Sequence, residues 1–221
     1  MIQILYKDRG RCCALFTNVN LSLTNCNEKN SHSILVGFGG FLLSQKAHLY
    51  SGMIKIGLIS DTHNYFDPQI RDYFSDRDEI WHAGDFGSEE IADQLEEIAP
   101  VVGVYGNIDG QDIRKRYPLH QRFERDGVDV WMTHIGGYPG RYCLPIKEEI
   151  ESNPPDLFIC GHSHILKIAR DQSLNKMLYM NPGAAGKQGF QVYRTMVRFS
   201  INNGKLIDVE VINLGKVGKE A

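Results

Sequence analysis

From Met53 onward, short apolar runs alternate with mixed polar segments. MIKIGLIS begins with alternating Ile and Lys and closes as a continuous apolar run, the pattern of a buried first strand. Strands are predicted over residues 54–60, 79–83, 101–105, 128–133 and 157–160, each followed at once by a polar or glycine-containing turn. Residues 68–74 and 88–98 read as helices, the second with Ser88 as N-cap and Glu89 and Glu90 in its first turn. After Cys160 the pattern changes to successive strands over 165–170, 177–180, 195–201 and 206–212, with Asn202, Asn203 and Gly204 forming a hairpin turn. The alternation of strands and helices predicts an α/β domain.

Residues 1–31 show neither a period of two nor one of 3.6, and no element is expected there. Residues 34–43 are apolar and glycine-rich, with the length of a signal-peptide core. Yet Lys7, Arg9 and Arg11 lie more than 20 positions upstream of them, and the stretch is too short to span a bilayer. The expectation is a poorly ordered N-terminal extension over 1–52, or a misplaced start with Met53 as initiator, and a self-sufficient domain over 53–221.

Composition sharpens that division. A chain of 221 residues with 42% hydrophobic and 23% charged residues is excluded from the disordered and collagen-like classes. No apolar run reaches the ~18 residues of a membrane span. The net charge of -3 conceals a segment 1–52 at +3 and a domain 53–221 at -6. Five cysteines without zinc-ribbon or CxxC spacing argue against a disulfide framework, and a cytoplasmic location is expected.

The candidate chemistry lies just beyond the predicted strands. Asp61-Thr62-His63 follows the first strand, and residues two apart on an extended chain project to one side. The next strands lead into Gly84-Asp85, Gly106-Asn107, Thr133-His134 and Gly161-His162-Ser163-His164. In an α/β sheet the loops beyond the carboxyl ends of the strands share one crevice. Two Asp, one Asn and four of the domain's six His are thereby delivered to one place. These oxygen and nitrogen donors suit Mn, Fe, Zn, Ni or Mg in a catalytic site. Seven side chains are too many for one ion with open positions and suit two, which a carboxylate can bridge.

The blocks DTH (61–63), GD (84–85), GN (106–107), TH (133–134) and GHSH (161–164), in this order, resemble the calcineurin-like metallophosphoesterase signature. The resemblance runs from Met53 to about Asn213 and includes the GNxD form of the third block and the NPG turn at 181–183. It is nearest the small YfcE-like phosphodiesterase branch. It implies a four-layer sandwich of two mixed β-sheets flanked by helices. It also implies one metal held by Asp61, His63, Asp85 and His164 and a second held by Asp85, Asn107, His134 and His162, with Asp85 as bridge. Manganese stands first among the expected ions. The implied reaction is in-line attack on phosphorus by a metal-bridging hydroxide, with Asp85, Asn107 and His134 as the catalytic set.

The sequence departs from the pattern at Ile108, where larger members carry a His proposed to protonate the leaving oxygen. Without a general acid, an enzyme favours leaving groups of low pKa, hence aryl phosphodiesters over alkyl monoesters. Arg141 and Tyr142, in a glycine-rich loop with Tyr138, are candidate substrate contacts, with Lys187 of the same standing as a surface cation. Asp109 reads as a turn residue, His82 and Cys160 as core residues, and Cys143 has no catalytic partner. The expected partner is a small phosphoester. A membrane is not expected, and neither is nucleic acid, given the acidic domain without a Lys/Arg cluster. A homo-oligomer is compatible with the sequence. Alternative readings are a non-catalytic scaffold of the same fold, as in the retromer subunit resembling this family, a nucleotide phosphatase or a nuclease.

Overall fold

Covering both faces of a strand requires apolar residues on both sides, and β2 (Ile54–Ile59, IKIGLI) supplies them at every position but Lys55 and Gly57, near its start and middle. In the computed structural model, which describes residues 11–13 and 52–218, Ile54, Ile56 and Leu58 face a second sheet while Ile59 faces helices. The first sheet runs β1 (Arg11–Cys13), β13 (Lys205–Lys216), β12 (Tyr193–Asn202), β2, β3 (Glu79–His82), β4 (Val101–Gly103). In it β2, β3 and β4 are parallel, and β12, β13 and β1 continue it antiparallel.

The second sheet runs β10 (Lys167–Asp171), β11 (Met177–Asn181), β9 (Leu157–Ile159), β6 (Val128–Thr133), β5 (His120–Arg125), parallel at its centre and antiparallel at both edges. Val128, Val130 and Met132 of β6 point inward, and Trp131 points to the opposite face. The inward faces of the two sheets form one core with Trp81, Leu157, Ile159, Met180, Val197 and Phe199. Each such aliphatic side chain contributes roughly 1.5–3 kcal/mol on burial.

Helices cover the outer faces. Ile70 and Phe74 of α1 (Gln69–Phe74), Ile91 and Leu95 of α2 (Glu89–Glu96) and Ile113 of α3 (Gln111–Arg116) pack outside the first sheet. The ribbon of β7 (Gly137–Tyr138) and β8 (Arg141–Tyr142) leads into α4 (Leu144–Ser152), whose Ile146 and Ile150 pack on Trp131 and Phe158. The result is the helix–sheet–sheet–helix sandwich that the resemblance implies. Among the described residues, no helix is long and apolar enough to cross a membrane.

The hairpin at Asn203-Gly204 has positive φ at both residues, 50° and 71°, as a two-residue turn of this kind requires. Several elements lie outside the predicted ones. β5 (HQRFER) contains one large apolar residue, because an edge strand pairs through its backbone and exposes charge. α4 carries Pro145 in its first turn, where a missing N–H has no intrahelical partner to lose. β1 falls where no element is expected and pairs Cys12 with Val211 of β13, whose outer backbone would otherwise form the sheet edge. The rest of the predicted 1–52 extension, except Gly52, lies outside the described residues.

Candidate metal centre

The strand over 128–133 has its predicted bounds, whereas the other four before the polar blocks end one or two residues early, because Ser60, Ala83, Tyr105 and Cys160 leave the ladder to begin the loops. These loops stay tied together: Asp61 N–H donates to Gly84 O at 3.0 Å, His63 N–H to Asp85 O at 3.1 Å and Gly161 N–H to His134 O at 3.0 Å. Asp61, His63, Asp85, His162 and His164 all have left-handed backbone, with φ of 53°, 47°, 59°, 65° and 57°. Non-glycine residues adopt this region at a cost of roughly 1–2 kcal/mol each, so the surrounding bonds must hold them there. Gly106 lies so close beneath Asp85 that a Cβ on it would overlap that carboxylate.

The donor atoms converge on one point from two sides. Asp61 Oδ2 accepts from Ser60 Oγ at 2.6 Å and from His162 N–H at 3.1 Å, whereas the buried Oδ1 has no hydrogen-bond donor. Asp85 Oδ1 accepts from Ile108 N–H at 3.1 Å, and Oδ2 lies 3.2 Å from His134 Nε2 and 3.6 Å from His63 Nε2. His134 Nδ1 donates to Ala83 O at 2.8 Å, so in the neutral ring Nε2 is a bare lone pair, 3.2 Å from Asn107 Oδ1. His164 Nδ1 donates to Gln191 Oε1 at 2.9 Å, leaving Nε2 facing Asp61 Oδ1 at 3.1 Å and His63 Nε2 at 3.3 Å.

Lone pairs packed this closely repel unless a proton or a cation lies among them. The protonation equilibria respond to the same demand. A proton on His164 Nε2 makes a hydrogen bond to Asp61 Oδ1 that the neutral ring lacks, and this holds the His164 pKa above the ordinary histidine value, against the effect of burial. At His134 burial works downward, but the Asp85 hydrogen bond and the Asp61 and Asp85 charges outweigh it and raise the pKa. Burial works upward at Asp85, and the His134 hydrogen bond and charge overcome it, holding the carboxyl low. Burial and the nearby His134 lower His162.

The residues therefore fit divalent ions. Asp61, His63 and His164 form one group, and Asp61, Asp85 and His134 a second, each able to place one donor atom apiece within 4.8 Å of the others. Asn107 Oδ1 adjoins the second group. His162 is exposed and belongs to neither group. Its ring stands edge-on to His134 with centroids 5.3 Å apart.

Other expected residues separate by environment. Asp109 is buried and accepts from Asp85 N–H at 3.0 Å, Gly106 N–H at 2.7 Å and Gly87 N–H at 2.8 Å, so it fastens two of the loops. His82 is fully buried against Phe86. Its Nδ1 accepts from Gly84 N–H at 3.1 Å, and its Nε2 meets Thr62 Oγ1 at 3.1 Å. Burial, followed by the charge of His134, lowers its pKa well below the ordinary value and keeps it neutral. Cys160 is a core residue whose thiol burial pushes up to about 12, and Cys143 stands at the start of α4.

Tyr142 corrects an expectation. Its ring is buried among Trp131, Phe158 and Ile146, and its hydroxyl donates to Asp171 at 2.6 Å, so it is not presented to a substrate. The alternation of β8 turns Tyr142 inward and leaves its neighbour Arg141 exposed. Lys187 lies over the Tyr65 ring at 4.0 Å. Gln191 was not legible as a site residue, because it lies outside every polar block and only the folded loop brings it to His164.

A two-sheet sandwich with carboxylate and imidazole donors gathered at its parallel strand ends defines a metallophosphoesterase-type domain. The sequence pattern of the calcineurin-like phosphoesterase superfamily domain matches residues 54–204, and the chain belongs to that family. The chain is 31% identical over 165 residues to a "probable metallophosphoesterase" of Methanothermobacter thermautotrophicus, covering 72% of this chain and 92% of the relative. It is also 31% identical over 142 residues to a "probable metallophosphoesterase" of Methanocaldococcus jannaschii, covering 62% and 70%.

Among solved structures, one described as a novel archaeal phosphodiesterase matches with TM-score 0.56 and 24% identity, covering 72% of this chain and 99% of that one. Vps29 of Chaetomium thermophilum matches with TM-score 0.57 and 17% identity, covering 74% and 99%. These two likenesses bear on the fold. The family is metal-dependent, and its hydrolase class with the donor set above makes the chain a phosphoesterase.

Proposed function

We propose that the protein is a phosphodiesterase that works with two divalent ions, manganese first among them, on small phosphate esters. The observation that carries this reading is the convergence of Asp61 Oδ1, Asp85 Oδ2 and the Nε2 atoms of His63, His134 and His164, lone pairs that a shared cation would reconcile at a pH where the histidines are neutral. Asp61, His63 and His164 would hold one ion and His134 and Asn107 the other. Asp85 would serve both, and the exposed His162 would complete the second set. Such a pair of ions supplies Lewis acidity and a nucleophile at neutral pH.

The chain's own groups set the geometry. Ala83 O and Gln191 Oε1 each hold a histidine tautomer, and the N–H groups of Ile108 and His162 fix one oxygen of each carboxylate. Asn107 is exposed at the mouth, and its amide can donate to a phosphoryl oxygen. Ile108 carries no proton to give the departing oxygen, so reactivity should depend on leaving-group pKa.

A scaffold reading draws on the Vps29 likeness, and against it stands the set of donors, with the tautomers of His134 and His164 fixed. The acidic domain disfavours a polynucleotide substrate. The test is a manganese-supplemented screen across mono-, di- and pyrophosphate esters, with Asp85→Ala as control. Bis-p-nitrophenyl phosphate should be hydrolysed and glycerol phosphate should lag several-fold. Faster turnover of glycerol phosphate would refute the diester reading, and no metal-stimulated turnover of any ester would favour the scaffold.

A further inference from the structure

Three loops follow a metal-site residue at once with an exposed isoleucine. Ile108 follows Asn107, Ile135 follows His134 and Ile165 follows His164, with relative exposures of 44%, 42% and 66%. A fourth loop adds Phe190, which is fully exposed. Its neighbour Gly189 lies against the His164 ring, and Gln191 on its other side bonds to that ring at 2.9 Å. Water-facing aliphatic and aromatic residues on separate loops, each adjoining a segment of one polar centre, are more than singly scattered exposure.

Three cations around these loops lie over aromatic rings, and Arg141 is exposed on β8. Lys187 lies 4.0 Å over Tyr65, Lys167 lies 4.8 Å over Tyr138, and Arg114 lies 4.8 Å over Tyr105 with its Nε donating to Asp109 O at 2.8 Å. A second anionic group on a substrate would therefore meet Ile108, Ile135, Ile165 and Phe190 with few free charges to answer it.

We propose, on the basis of the phosphodiesterase reading above, that Ile108, Ile135, Ile165 and Phe190 form an apolar collar that binds the uncharged, apolar ester group a diester retains after cleavage. Continuity with the metal-site residues identifies the occupant. Ile108, Ile135 and Ile165 each adjoin a donor residue along the chain, consecutive Cα atoms are only ~3.8 Å apart, and the Ile108 N–H itself donates to Asp85 Oδ1 at 3.1 Å. Full burial of one methylene corresponds to about fourfold in affinity, and partial burial to less.

The test uses the full chain with manganese and p-nitrophenyl phosphodiesters whose second ester group is methyl, butyl, benzyl, glyceryl or carboxymethyl. The leaving group is thereby constant. The inference expects kcat/KM to rise about tenfold from methyl to butyl and further to benzyl, with glyceryl and carboxymethyl below butyl. Phe190→Ser and Ile165→Ser should flatten the methyl-to-butyl rise, while Met53→Ser, at the start of the β2 region, should retain it. A flat series, a preference for the carboxymethyl ester, or collar variants that change only self-association would overturn the collar and leave the phosphodiesterase reading intact. Failure to hydrolyse any member would instead overturn the phosphodiesterase reading.

Discussion

Gln191 accepts the Nδ1 proton of His164 at 2.9 Å, and its own amide donates to Gly186 O at 3.2 Å and Gln188 O at 2.7 Å. The two carbonyls fix which way the amide points, so His164 must present Nε2 to Asp61. Gln191→Leu should therefore weaken manganese binding about 10- to 100-fold, as loss of such an orienting partner does. Titration calorimetry checks this, and Gln191→Glu should restore most of the affinity because it restores the acceptor. A purely structural role would lower the melting temperature and leave affinity in the folded protein unchanged.

Asp109 is the buried acceptor for the N–H groups of Asp85, Gly87 and Gly106. Replacing it with Ala strands three donors, each costing roughly 1–3 kcal/mol. Urea unfolding of Asp109→Ala should show a loss of about 3 kcal/mol or more. A loss below 1 kcal/mol would mean that water replaces the carboxylate.

Gly106 faces Asp85 so closely that no side chain fits between them. Gly106→Ala should displace the Asp85 carboxylate, which the second group of donors needs and which is proposed to serve both ions, lowering kcat/KM at least a hundredfold while the β-sheet signal in circular dichroism persists. Retention of activity would show that Asp85 has room to move.

Protons and metal ions compete for His134 and His164. The Asp61 hydrogen bond at His164, and the Asp85 bond with both carboxylate charges at His134, raise these pKa values above the ordinary ~6.5. Below the raised range the nitrogens are protonated, and a metal ion must displace those protons. Above it they are free. Apparent manganese affinity should therefore increase as pH rises from 6 to 8, by at least tenfold, with proton release at the lower pH. Equal affinity at both values would place the ion elsewhere.

The sequence made the centre more legible than its surroundings. The central strands carry continuous apolar runs because both faces are covered, and the polar blocks follow directly on those runs, so strands and blocks alike stand out. β5 and α4 do not, because the first is a charged edge held by backbone pairing and by ion pairs such as Arg122–Asp129 at 2.6 Å. The second buries only Ile146 and Ile150. Gln191 and the turn of Tyr142 toward Asp171 depend on contacts between distant segments, which no local pattern encodes. His82 was legible as a core residue because it precedes the end of a buried strand, where a side chain faces neighbours rather than the crevice.

The most direct test of the central claim is to titrate metal-free protein with manganese while following both bound metal per chain and hydrolysis of bis-p-nitrophenyl phosphate. Two ions per chain are predicted, with turnover appearing as the second binds, and Asp85→Ala should lose both occupancy and at least a thousandfold in kcat/KM. Saturation without turnover, or full turnover in Asp85→Ala, would contradict the account.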